Sequence, residues 1–245
     1  MNFNSQTTVR EIAQQHPQAA RIFESFGIDY CCGGKRPLAE ACQHANVAVD
    51  GVMAELQRPA PSAELDDRWA FAPLAELANH IVEKHHGFVR QESPRLTALL
   101  EKVRTRHGEL HPELREIQGL FEGLTSELAS HMLKEEHVLF PMIQQLEETS
   151  RNAGPDAATQ FRSIEFPIAR MVAEHEDAGE ALRGIRSLTG EYQPPAGACA
   201  SFQALYQGLA QFERDLHQHI HLENNILFPR AVALTEAGQT LQNVV

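Results

Sequence analysis

"HMLKEEHVLFP", His131 to Pro141, and "HIHLENNILFP", His219 to Pro229, stand 88 residues apart, and both read His-x3-Glu-x2-[Val/Ile]-Leu-Phe-Pro. Upstream of each lies a weaker match, "VEKHH" ending at His86 and "VAEH" ending at His175, 89 residues apart. The chain therefore carries one helix pair twice. Each copy supplies a lone histidine and, 44 or 45 residues later, a His-x3-Glu step. Residues four apart share one helix face, about 6 Å apart along the axis, so His131 with Glu135 and His219 with Glu223 can each grip one site.

Working outward, the segments around these motifs are long and helical in period: roughly 73 to 106, 113 to 148, 166 to 189 and 197 to 236. "HGELHP", "TSRNAGPD" and "GEYQPPAGA" interrupt them with turn formers, and no alternating strand pattern appears. Four long helices joined by short loops predict an antiparallel four-helix bundle over residues 73–245. Residues 58–72, with "RPAPSAELDD", read as a linker rich in proline and charge. Residues 1–57 read as a small helical domain: Thr7 or Thr8 caps "VREIAQQ", Pro17 opens "PQAARIFESF" with Gly27 as its stop, Pro37 opens "PLAEACQHA", and Asp50 caps "GVMAEL". The fold class is all-α.

In an antiparallel bundle the four contributions converge on the core. They bring four imidazoles and two carboxylates: His86, His131, His175, His219, Glu135 and Glu223. That set exceeds what one first-row ion takes from protein, and a carboxylate has two oxygens with which to bridge. Two metals, bridged by Glu135 and Glu223 and each held by two histidines, are expected. Nitrogen and oxygen donors without thiolate suit iron or manganese and leave zinc open. His85 competes with His86, but only His86 keeps the 89-residue offset. His217 and His221 lack a glutamate four residues on and read as surface or supporting groups. His137 points off the face of Glu135, and His16, His44, His80, His107 and His111 carry no pattern. Ligating histidines need an acceptor for the other ring nitrogen, and Glu127 and Glu174 are the candidates.

A net charge of -12 works against nucleic acid and anionic lipid as partners. No stretch approaches the roughly 18 apolar residues of a membrane span, and the first twenty residues lack a secretion pattern, so a soluble, cytoplasmic protein is expected. Four cysteines, Cys31, Cys32, Cys42 and Cys199, are too few for a disulfide scaffold. In "YCCGGK" the adjacent Cys31 and Cys32 could form only a strained, reducible disulfide. Gly33 and Gly34 expose them at a turn, and Lys35 and Arg36 favour thiolate. Cys42 is a candidate third thiol, and Cys199 reads as structural.

These stretches together resemble a known family. "SHMLKEEHVLFP", "AEHEDAGE" and "HIHLENNILFP" are similar to the hemerythrin-type bundle. "IDYCCGGKRPLAEAC" ahead of them is similar to the small N-terminal domain of the YtfE/ScdA family, the repair of iron centres. The resemblance spans nearly the whole chain. It implies a cytoplasmic protein with two iron ions, oxo- and carboxylate-bridged, that repairs iron-sulfur clusters damaged by nitrosative or oxidative stress, supplying iron to damaged iron-sulfur proteins. Carried over residue by residue, the family's ligands fall on His86, His131, Glu135, His175, His219 and Glu223. Cys31 and Cys32 become redox or iron-transfer thiols. The alternative is nitric oxide binding or reduction, or nitric oxide or dioxygen sensing, at the same centre. A homodimer is expected because the small domain buries little core alone.

Overall fold

The structure, a computed structural model, describes residues 3–16, 19–30, 34–57, 66–151 and 164–242. Among them all regular elements are helical, and an isolated bridge joins Thr8 to Pro37. The short helices α1 (Val9–Gln15), α2 (Ala19–Ser25), α3 (Leu38–His44) and α4 (Val49–Gln57) come first. Thr8 caps α1 in a reciprocal box: its hydroxyl accepts from the Glu11 amide, and the Glu11 carboxylate accepts from the Thr8 amide. Gly27, at φ +67°, closes the turn after α2 in a conformation that favours glycine. Asp50 lies inside the first turn of α4 rather than at its cap, where a carboxylate still complements the helix dipole.

A further short helix, α5 (Asp66–Phe71), forms within the stretch expected as a linker. Two contacts explain it. Trp69 is buried, and the Arg230 guanidinium donates to the carbonyls of Trp69 (2.8 Å) and Ala72 (2.7 Å), satisfying acceptors at the helix end.

The long runs then follow, three of them containing a π-helical turn. The first is α6 (Leu74–His80), π1 (Ile81–His86) and α7 (Gly87–His107). The second is α8 (Glu113–Lys134), π2 (Glu135–Leu139) and α9 (Phe140–Arg151). The third is α10 (Glu165–Leu188), and the fourth is α11 (Ala200–His221), π3 (Leu222–Leu227) and α12 (Phe228–Gln242). A small N-terminal domain is thus followed by a helical bundle.

The chain forms two compact units, one of Met1–Ala78, Ile143–Glu165 and Ile220–Val245, the other of Asn79–Met142 and Phe166–His219. Within the first, the buried carboxylate of Glu147 accepts from the amides of Leu74 (2.9 Å) and Ala75 (3.1 Å), capping α6 from α9. Helix α1 packs on π3, and the buried ring of Tyr30 meets His221 edge-on at 5.3 Å. A Cβ at Gly34 would lie 2.7 Å from the Tyr30 carbonyl oxygen and 3.1 Å from Arg10 Cβ, so this close approach requires glycine.

Within the second unit, α8 buries Leu114, Ile117, Phe121, Leu124 and Leu128, a helical stripe that ends in His131 and Glu135. Helix α11 buries Leu205, Leu209, Phe212 and Leu216 in the same rhythm, and that stripe ends in His219. Phe121 and Phe212 meet edge to face at 5.2 Å. At Gly208 a Cβ would come within 2.5 Å of Leu96 Cδ2, so α11 and α7 approach closely there.

Candidate metal centre

Each sequence-derived candidate stands where an apolar stripe would otherwise continue. His86, His131, Glu135, His175, His219 and Glu223 are all buried, with His86, Glu135, His219 and Glu223 fully so. Two groups of four offer ligand atoms that all lie within 4.8 Å of one another: His86, Glu135, His219 and Glu223, and His131, Glu135, His175 and Glu223. Glu135 and Glu223 belong to both groups. One oxygen of Glu135 lies 3.2 Å from His131 Nε2, the other 3.4 Å from His86 Nε2. The Nε2 atoms of His86 and His219 are 3.3 Å apart, and those of His131 and His175 are 3.0 Å apart.

The far ring nitrogens explain why these lone pairs converge. His86 Nδ1 lies 2.5 Å from Glu136 Oε1, and His131 Nδ1 lies 2.9 Å from Glu174 Oε2. A carboxylate can only accept, so both Nδ1 atoms carry the proton and both Nε2 atoms present lone pairs to the Glu135 oxygens. Facing lone pairs in a dry interior call for a cation between them. The donor set, nitrogen and carboxylate oxygen without thiolate, fits iron. It also positions the ligands on wide turns: His86 ends π1, Glu135 opens π2, and Glu223 lies in π3. An inserted residue turns the following helix face by about 100°, and such turns concentrate at functional sites.

The supporting carboxylates are themselves held. Burial alone raises Glu174, but hydrogen bonds from Lys134, Arg170 and His131 pull it down to about 2. Glu136 behaves alike: burial opposes the shift, while His86 and Arg90 hold it below the usual carboxylate range. A pocket of about 240 Å³ lined by Glu127, Lys134, Arg170 and Glu174 reaches His131 and His175.

Comparison with known proteins identifies the domains. The hemerythrin HHE cation-binding domain family matches residues 77–231, and ScdA_N, described as a domain of unknown function (DUF542), matches residues 5–60. The iron-sulfur cluster repair protein YtfE of Citrobacter koseri is 38% identical over 233 residues, 95% of this chain and 99% of the relative. Those of Yersinia pseudotuberculosis (38% over 216 residues, 88% and 92%) and Escherichia coli O81 (39% over 223 residues, 91% and 95%) are similar. The chain belongs to the YtfE family of iron-sulfur cluster repair proteins. The hemerythrin-type domain that this family match identifies implies iron binding, which the buried histidine and glutamate cluster can provide.

The remaining histidines and thiols of this family member divide as follows. His85, beside His86, is buried but turns its Nδ1 to Asp215 at 3.1 Å and stacks on His219 with ring centroids 5.8 Å apart; it is outside both groups of four. Burial lowers its pKa, with Asp215 partly opposing. His221 is no surface group: it is buried, accepts from Asn225 Nδ2 at 2.8 Å, and burial pushes its pKa down to about 4. His137 is exposed, as its offset from Glu135 implies, and so is Glu127. Glu174 supports a histidine, though His131 across the helices rather than its neighbour His175. Glu136, Arg90 and Asp215 escaped the sequence reading, since partners on other helices leave no spacing signal. Cys31 and Cys32 lie outside the described residues. Cys42 is buried in α3, where burial pushes its thiol up, while Cys199 is exposed with its Sγ 3.3 Å from His107 Nε2. No helix among the described residues is long and apolar enough to cross a membrane.

Proposed function

We propose that this chain is a cytoplasmic di-iron protein that restores damaged iron-sulfur clusters by supplying iron. The single observation that carries this reading is the pair of four-residue clusters sharing Glu135 and Glu223. On this reading His86 and His219 would hold one ion and His131 and His175 the other, with Glu135 and Glu223 available to both. When bound, the metal pair supplies redox-active iron in a carboxylate-rich setting that exchanges ions more readily than thiolates do. The chain's own contribution is to orient four imidazoles, keep the Nδ1–H groups of His86 and His131 donating to Glu136 and Glu174, and exclude bulk water from the ligand atoms. Cys31 and Cys32 act with the centre as redox or iron-transfer thiols on damaged iron-sulfur proteins, and the chain works as a homodimer.

The test is direct. Iron-loaded protein should reactivate a cluster-damaged dehydratase while a chelator removes free iron, and a Cys31→Ala, Cys32→Ala double variant should repair less while keeping its metal. No reactivation under chelation refutes iron donation. A second reading, nitric oxide binding or reduction, draws support from the 240 Å³ pocket that reaches His131 and His175, roomy enough for a diatomic ligand. Catalytic nitrous oxide formation from nitric oxide by reduced protein would favour it. A stoichiometric or zero yield would dismiss the reductase form.

A further inference from the structure

The repeat that carries Glu135 onto Glu223, 88 residues on, also carries Leu133 onto His221 and His137 onto Asn225. In the first copy this outer pair is exposed. In the second it is buried and joined, since Asn225 Nδ2 donates to His221 Nδ1 at 2.8 Å. Two residues are about 200° around a helix, so His221 and Asn225 lie on the side of their helix away from Glu223. What covers them comes from the small N-terminal helices. Helix α1 packs on π3, and the buried Tyr30 ring meets Phe23 of α2 at 6.1 Å and His221 at 5.3 Å between centroids. Phe23, Tyr30, His221, Asn225 and Glu223 all belong to the first compact unit.

Asn225 Oδ1 is buried without a hydrogen-bond partner, and such an atom costs stability, which sets this pair apart from ordinary packing. The other end of the same amide fixes the His221 ring against Tyr30. Glu223 lies within π3 and belongs to both groups of four, so its reach toward either depends on how that turn is held. Groups that orient a ligand without binding metal themselves govern affinity nearly as strongly as the ligand does. We propose that Tyr30, His221 and Asn225 are positioning residues for Glu223: they brace π3 from behind, so that the small N-terminal domain sets how firmly the shared carboxylate holds metal. The inference rests on the metal-centre reading above and gives the small domain a part in it.

The experiment titrates the full metal-free chain with cobalt(II), following the visible absorption band, beside metal-free melts and hydrogen exchange of the backbone amides. Tyr30→Ala and His221→Leu should each weaken cobalt binding about tenfold and shift the band. Both should speed exchange across residues 222–227 and leave it unchanged across residues 135–139. Tyr30→Phe keeps the ring and His221→Gln keeps an acceptor for Asn225, so both should restore affinity and band. His137→Leu, at the exposed counterpart of Asn225, should match wild type. If Tyr30→Ala does not fold, Tyr30→Leu, which keeps apolar bulk without the ring, decides by the same readings. A lower metal-free melting temperature with wild-type cobalt affinity and band shows packing alone and overturns the proposal. So does a loss in His137→Leu as large as that in His221→Leu. A wild-type chain that takes up no cobalt overturns the metal-centre reading itself.

Discussion

Glu135 belongs to both clusters of four and His86 to one, so substituting them should separate a shared ligand from a private one. A ligand that binds only the folded chain stabilises it by about 2.7 kcal/mol when present at 100 times its dissociation constant. For a chain of this size each kcal/mol is worth about 2–4 °C of melting temperature, so one filled site raises Tm by about 5–11 °C and two by about twice that. Glu135→Gln should lose both increments, and His86→Gln only one. Metal-free Glu135→Gln should melt no lower than wild type, because a buried carboxylate is costly without its cation. The assay is calorimetry of metal-free and metal-titrated protein beside elemental analysis: two metals for wild type, one for His86→Gln and about none for Glu135→Gln. A Glu135→Gln chain that retains one metal with its full thermal shift refutes the shared-ligand geometry.

Other outcomes follow from the surroundings of the centre. Arg186 donates to both oxygens of Glu213, which is 2% exposed, so Arg186→Met should cost about 3–5 kcal/mol by leaving a buried charge unpaired. The double variant with Glu213→Leu should recover part of that loss, as denaturant melts will read. Brief alkylation of native protein with site mapping by mass spectrometry should label exposed Cys199 and spare Cys42, whose thiol burial raises. Burial, and then the charge of Glu113, push Tyr206 up to about 12. With the folded value above the unfolded one of about 10, its contribution is fully present below pH 10 and is lost as pH rises through 12. Tyr206→Phe should flatten stability against pH in that window.

The sequence exposed what repeats and concealed what crosses between helices. The six candidate ligands were legible because a His-x3-Glu step in near-identical apolar frames recurs after 88 residues, with a lone histidine upstream of each copy recurring after 89. The helical runs were legible because Phe121, Leu124 and Leu128 keep the helix period up to His131. The π turns were not: the residues of "IVEKHH" would serve an α-helix equally well, and only backbone hydrogen bonding distinguishes the two. Glu136 adjoins Glu135 and Asp215 stands one turn before His219, and no spacing marks either. Their partners, His86 and His85, come from a different helix. His221 misled for the same reason, since the ring that covers it, Tyr30, lies nearly two hundred residues upstream. Helix α5 was missed because its carbonyls are satisfied by Arg230, far along the chain.

The close approach at Gly208 acts as a fulcrum. A Cβ on Gly208 of α11 would stand 2.5 Å from Leu96 Cδ2 and 3.0 Å from Arg95 Nη2 of α7, so those side-chain ends must shift to admit it. His86 lies ten residues from Leu96, and His219 eleven from Gly208, so the ligands ride lever arms of about 15 Å. Metal sites tolerate about 0.2 Å of ligand displacement, which at that radius is a rotation of only about 1°. Whatever part of the displacement by Gly208→Ala is not absorbed by Leu96 and Arg95 and reaches α7 as rotation would be amplified by leverage at the candidate centre.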